Sequence, residues 1–239
     1  MSIKIENVCV YGFEAAIRGL RNPKNSWDKS DSGKVQYRIC GITRGNPERI
    51  CSCVLDANNC TESDSFVTTE FYIGENDLKL MNALFKAGSD HRKFMRFINV
   101  TVDIIAPLYW WKEFDTYKVG TVANSCSTMH KIAAKPFELD DFSFDNLFGD
   151  SIYCLDSVIH KLNEYRKRFN ETKNKGDWWQ MIQLLPSSYN QRRTIQMNYE
   201  VLANMNRTGR RKDHKLDEWR TFCEWVDCLP YYTEITKCS

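Results

Sequence analysis

Hydrophobic and polar positions alternate most clearly over residues 98–104, where Ile98, Val100, Val102 and Ile104 interleave with Asn99, Thr101 and Asp103. A period of two predicts a half-buried β-strand. Pro107 ends that ladder and suits the first position of a helix, so residues 108 to about 117 are expected to turn as a short helix bringing Tyr109, Trp110 and Phe114 onto the core. Over residues 119–129 bulk almost vanishes. Gly, Thr, Ala, Asn, Ser and Cys form a polar stretch that reads either as a surface loop or as a place where hydroxyls, an amide and backbone N–H groups approach a ligand.

The same reading extends along the chain. Ile3, Ile5, Val8 and Val10 suggest a first strand, followed by a short helix over residues 14–18 and a charged, turn-rich loop whose one large apolar residue, Trp27, would pin it to the body. Strands are expected over 34–40 and 66–73, with an exposed excursion over 41–64 between them. Asn76 or Asp77 would cap a helix that places Leu78, Met81, Leu84 and Phe85 on one face and ends at Gly88. After an acidic and aromatic connector over 137–148, Ile152, Leu155, Val158, Ile159, Leu162, Tyr165 and Phe169 mark a long amphipathic helix. Three more helices follow: one capped by Asp177 and stopped by Pro186, one over about 190–205, and one over about 216–228. The expected class is α+β, a single domain over 1–239 in which a mixed sheet from the N-terminal half packs with a helical C-terminal half.

Composition narrows the function classes. With 239 residues and 42% hydrophobic content the chain can bury one sizeable core, and no Pro/Gly/Ser-rich linker divides it. Thirty-three basic against 31 acidic side chains leave nothing global that calls for nucleic acid or a membrane surface. The absence of an apolar run near 18 residues, and of an apolar core at the N-terminus, leads to the expectation of a cytoplasmic protein. There the ten cysteines would be reduced thiols. Cys51, Cys53 and Cys60 have no histidine nearby, so no metal site is expected from them.

Two stretches carry chemistry. The first is the strand, Ala106-Pro107, the aromatic helix and the small-residue loop, preceded by a Leu-rich helix ending in Lys86-Ala87-Gly88. The second is Leu185-Pro186, then Asn198, Leu202 and Asn204, then Arg210-Arg211, His214 and Trp219. In this order and spacing the chain resembles the flavin-dependent thymidylate synthases.

That resemblance implies methylation of dUMP to dTMP with FAD as cofactor, methylenetetrahydrofolate and NADPH as co-substrates, and a homotetramer with shared active sites. The aromatic surplus of Trp110, Trp111, Trp178 and Trp179 suits such an assembly. The family's Arg-His-Arg falls on Thr116, Tyr117 and Lys118, its first signature Ser on Thr121, its Asn-Glu on Ala123 and Asn124, and its second Ser on Cys126. A one-residue slip matches Asn124 and Ser127 instead.

Carried over, the roles are a catalytic Arg211 that polarises the pyrimidine, with Arg210 as its rival, and substrate contacts at Glu113, Thr121, Asn124, Cys126, Ser127 and Arg210. Cofactor contacts fall on His91, Thr116, Tyr117, Lys118, Asn198, Asn204 and His214. Arg18 follows the family's Ala-Ala-Arg turn. Glu200 and Ile182 stand where the family has arginines, and the arginines of its signature loop are lost. That erosion keeps open a flavin enzyme of a different pyrimidine nucleotide and a catalytically inactive nucleotide sensor.

Overall fold

The computed structural model describes residues 3–39, 53–54 and 66–237. In chain order its elements are β1 (Lys4–Tyr11), α1 (Phe13–Arg21), β2 (Gly33–Ile39), β3 (Cys53–Val54), β4 (Phe66–Tyr72), α2 (Glu75–Lys86), β5 (Asn99–Pro107) and α3 (Leu108–Phe114). Then come β6 (Val122–Ser125), α4 (Asp150–Thr172), α5 (Lys175–Leu184), β7 (Asn190–Asn198), α6 (Tyr199–Met205), α7 (Asp217–Asp227) and α8 (Tyr232–Thr236). The class is α+β, as the sequence indicates. The described residues fall into two compact units, one from Met1–Tyr11 and Ile98–Thr233, the other from Gly12–Phe97 and Glu234–Ser239.

The first unit is built on a four-stranded sheet in the order β1-β5-β7-β6, antiparallel at every pairing. This corrects the expected mixed sheet from the N-terminal half, because the third strand, β7, comes from the C-terminal half. On β5 the predicted alternation holds, with Val100, Val102, Ile104 and Ala106 buried. In β1 the apolar positions change phase between Ile5 and Val8. The register shifts there between Glu6 and Cys9, and Asn7 at φ 54 absorbs the extra residue.

Residues 190–205 are not one helix. Over 190–198 the burial alternates, with Gln191, Ile195 and Met197 inside and Arg192, Thr194 and Gln196 outside, which is the period of a strand. Asn198 ends that strand and caps α6, its Oδ1 accepting the Val201 N–H at 3.0 Å. A tertiary ladder to β5 over nine residue pairs overrides the local helical reading.

α3 follows β5 directly. The backbone N–H groups of Leu108 and Tyr109, orphaned at a helix start, donate to the carbonyls of Tyr189 and Ser187 at 3.0 Å each. Trp110, Trp111 and Phe114 are fully or almost fully buried; Trp110 and Phe114 pack their rings against Trp219 and Phe222, and Trp111 packs edge-on against both Trp110 and Phe114. Tyr109 turns aside to donate its hydroxyl to the buried Glu218. Trp110 and Trp111 are therefore core rather than surplus; of the four tryptophans offered for subunit contacts, Trp179 is 44% exposed. A second cluster joins Phe137, Phe142, Leu155, Ile159, Leu162 and Met181 beneath α4 and α5. Asn174, not Asp177, caps α5, accepting from the Gly176 N–H at 2.8 Å. Asp177 is buried and ion-paired with Arg168 at 3.0 Å.

The second unit holds the antiparallel sheet β3-β2-β4 with α1 and α2. Neither Asn76 nor Asp77 caps α2. Asp31 does so from outside the helix, its carboxylate accepting the N–H groups of Asn76 at 2.8 Å and Asp77 at 3.0 Å. The Asp77 side chain is buried instead and accepts from Arg21, Ser30 and Ser32 at 2.6 Å each, which ties the loop before β2 to the helix. Trp27 does not pin that loop through the core: it is 52% exposed and donates its indole N–H to Asn22. Of the 41–64 excursion only β3 lies within the described residues. No helix among the described residues is long and apolar enough to cross a membrane.

Candidate active site

The polar constellation forms at the C-terminal end of α3. Glu113 lies on its last turn, and Tyr117 follows in a turn whose N–H donates to the Phe114 carbonyl at 3.0 Å. Opposite them runs the segment between α6 and α7. Gly209, at φ +76, lets that segment double back, its N–H donating to Asp213 at 2.7 Å, while the Arg211 N–H donates to the Met205 carbonyl at 3.2 Å.

These folds bring four of the anticipated residues together. Arg211 donates from Nη1 to Glu113 Oε2 and from Nε to the Tyr117 hydroxyl at 3.0 Å. Its guanidinium lies 4.6 Å from the centre of the Trp219 ring and 5.3 Å from that of Tyr117, a cation held against two aromatic faces. Its side chain is 15% exposed, and Nη2 has no partner among the described residues. His214 Nε2 lies 3.3 Å from the same Glu113 oxygen. Because Nδ1 accepts the Leu216 N–H at 3.1 Å, the imidazole proton sits on Nε2 and points at the carboxylate. Both contacts fall on Oε2 and leave Glu113 Oε1 without a partner among the described residues.

Arg210 is exposed. Of the two arginines that the spacing leaves open, Arg211 makes the contacts with Glu113 and Tyr117. Thr116 is exposed and turns its hydroxyl back to the Glu113 carbonyl at 2.7 Å. Lys118 is exposed, and its carbonyl accepts the Thr121 N–H. Residues 118–121 close over the cap of α6, where a Cβ on Gly120 would lie 3.1 Å from Asn198 Nδ2. Thr121 Oγ1 is buried with no partner among the described residues. Asn204 is half-buried within α6. Glu200 is buried on the same helix.

Part of the expected polar loop is strand. Asn124 lies in β6, where it pairs with Thr194, and it does not join the Arg211 constellation. Cys126 and Ser127 line a separate groove of about 330 Å³ with Lys131, Lys135, Tyr189 and Gln191. Burial raises the Tyr189 phenol above its ordinary value, so it enters this groove as a protonated donor. His91 and Arg18 belong to the second unit, where both are exposed.

Two side chains at this end of α3 went unassigned by spacing. Trp219 supplies the face under Arg211. Arg193 on β7 donates to Asp115 at 2.8 Å and to Gln191 at 3.0 Å, with its guanidinium 4.3 Å from the Trp111 ring centre. Its signal was available in the pattern, since Arg193 shares a strand face with Ile195 and Met197.

No protein-family profile and no curated protein sequence matches the chain. Solved structures do. A flavin-dependent thymidylate synthase from Helicobacter pylori, complexed with FAD and dUMP, superposes with a TM-score of 0.61 over 99% of this chain and 97% of that one, at 14% identity. The fold is that of the flavin-dependent thymidylate synthases. A UMP/dUMP methylase, PolB from Streptomyces cacaoi, bound with 5-Br dUMP, superposes with a TM-score of 0.54 over 98% of this chain and 94% of that one, also at 14% identity.

Proposed function

We propose that the chain is a flavin-dependent enzyme that methylates a pyrimidine nucleotide, converting dUMP to dTMP with methylenetetrahydrofolate as carbon donor and NADPH as reductant. The observation that carries this reading is the Arg211 guanidinium, fixed against Trp219 and Tyr117 beside Glu113 and His214, with one edge that meets no partner among the described residues.

The residues around the cap of α6 fit a polar cofactor. Among the described residues Thr121 Oγ1 is buried without a partner, and Asn198 gives its Oδ1 to the helix cap and has no partner for Nδ2. Asn198, Tyr117 and His214 would hold FAD, with Lys118 offering its charge to the pyrophosphate as a point donor. When bound, FAD supplies the hydride chemistry that turns a transferred one-carbon unit into a methyl group.

The protein's own task is to make C5 of the uracil ring nucleophilic. Negative charge held on the ring carbonyls as an enolate is what makes C5 nucleophilic; carbon–carbon bond formation at C5 draws on it, and departure of the C5 proton afterwards returns charge to those carbonyls. The unpartnered Nη2 of Arg211 is a fixed donor for a carbonyl that gains charge. Glu113 Oε1 is a fixed acceptor for the ring N–H beside it. The indole of Trp219 and the ring of Tyr117 keep the guanidinium from turning away and exclude water from its faces.

A second reading is favoured by the likeness to the UMP/dUMP methylase: the same chemistry on a ribonucleotide. We further propose a homotetramer, in which subunits complete one another's sites. The test is a flavin spectrum of the purified protein, followed by tritium release from [5-³H]dUMP and [5-³H]UMP with NADPH and methylenetetrahydrofolate. Absence of flavin bands after incubation with excess FAD removes the reading. Release from UMP in preference to dUMP moves it to the ribonucleotide.

A further inference from the structure

Arg193 occupies a position where the strand pattern calls for an apolar side chain. It shares the inward face of β7 with Ile195 and Met197, which are 0% and 1% exposed. Its neighbour Arg192 faces the other way and forms ordinary surface pairs with Glu6 at 2.8 Å and Asp103 at 3.4 Å. A charge on the inward face is costly unless it is held or used.

It is held on three sides. Asp115 Oδ1 takes Nη1 at 2.8 Å, Gln191 Oε1 takes Nε at 3.0 Å, and the Trp111 ring lies 4.3 Å beneath the guanidinium. The holders are themselves fixed. Gln191 donates its amide to the Cys126 carbonyl at 2.7 Å, and the Trp111 indole N–H donates to the Gln191 carbonyl at 3.0 Å. A structural ion pair needs none of this orientation. Asp115 is 45% exposed, so the pair is not sealed, and Nη2 has no partner among the described residues.

The arrangement repeats that of Arg211. Each guanidinium lies on an indole, each takes one carboxylate from the end of α3, and each is oriented by a further polar side chain while Nη2 has no partner among the described residues. Asp115 is the residue immediately before Thr116, which has no charge to offer an anion. Arg193 therefore brings a fork-shaped cation to the part of the site beside the uncharged Thr116.

We propose that Arg193 is a phosphate-binding residue of this site, its Nη2 edge taking a phosphate oxygen of the bound nucleotide or cofactor. For the identity of those ligands the inference rests on the function proposed above. Guanidinium suits the role because it stays charged and is already oriented, so little side-chain freedom is lost on binding.

The experiment is calorimetric titration of the full-length protein with dUMP, FAD and inorganic pyrophosphate, for wild type, Arg193→Met and Arg193→Lys, with folding checked by circular dichroism. Arg193→Met should weaken the phosphate-bearing ligand about tenfold or more, and Arg193→Lys should fall between it and wild type. A loss confined to dUMP assigns the monophosphate; a loss confined to FAD assigns the pyrophosphate. If wild type binds pyrophosphate through Arg193 but neither dUMP nor FAD, the phosphate site stands and the proposed function falls. If dUMP or FAD binds wild type and folded Arg193→Met equally, the phosphate role is wrong while the function survives. Should Arg193→Met fail to fold, undiminished binding by Arg193→Lys overturns the role. Failure of wild type to bind all three overturns both.

Discussion

The guanidinium of Arg211 lies 4.6 Å from the ring centre of Trp219, a side chain with no exposed surface. The position of the cation is thus set by the core rather than by a loop: Trp219 is locked against Trp110 at 4.7 Å, and Trp110 belongs to the helix that follows β5 directly. Arg211→Ala should lower tritium release from C5 of the nucleotide by about two to three orders of magnitude, as loss of one preorganised charge at a reacting centre does. Steady-state kinetics beside Arg210→Ala separates the two arginines, since the exposed Arg210 should be dispensable.

Glu113 neutralises part of the Arg211 charge in the absence of ligand. Glu113→Gln keeps an acceptor but removes the carboxylate. Because that carboxylate is 38% exposed, the fold should lose no more than about 1 kcal/mol in chemical denaturation. The variant should bind dUMP with a steeper dependence on salt, because the guanidinium is then less compensated. An unchanged salt dependence would show that Arg211 does not face the nucleotide.

Asp77 links stability to pH in the second unit. Burial raises its carboxyl pKa, but hydrogen bonds from Ser30, Ser32 and Arg21 and the Arg21 charge outweigh burial and hold it below the ordinary value. A depressed folded pKa gives stability that is complete above the unfolded value near 4 and is lost as pH falls through the folded one. Thermal unfolding followed between about pH 6 and 2.5 should therefore show an acid-side loss for wild type. Asp77→Asn should be less stable at pH 6 and should lack that component of the loss.

The thiols should divide by environment. Burial pushes the Cys223 thiol up to about 12, whereas Cys126 is exposed at the groove. Brief iodoacetamide treatment of the native protein near pH 8, read by peptide mass spectrometry, should label Cys126 and spare Cys223 until denaturant is added. Labelling of Cys223 at the same rate would mean that α7 opens readily.

Gly74 approaches Asp31 too closely for a side chain: a Cβ would lie 2.2 Å from Asp31 Cγ and 2.5 Å from its carbonyl oxygen. Its backbone, at φ −71, is open to any residue, so the constraint is steric alone. Gly74→Ala should cost about 1–3 kcal/mol in denaturant unfolding by displacing the carboxylate that caps α2.

The sequence by itself determined the elements whose stabilising contacts are local. The period of two over 98–104, the proline after it, the apolar stripe of α4 and the α7 helix are legible because side-chain direction repeats along the backbone. It also determined the order Asn198, Leu202, Asn204, Arg211, His214 and Trp219, from which the resemblance was drawn. Tertiary structure decided what depends on partners far away in the chain. Residues 190–198 became strand because β5 offers a ladder, and Asp31 rather than Asn76 or Asp77 caps α2 because a loop 45 residues away reaches the helix. The placing of Arg211 beside Glu113 and of Arg193 beside Asp115 has the same origin. Both arginines are selected by indoles and carboxylates brought from α3 and α7, and no spacing along the chain encodes which cation will lie flat on which ring.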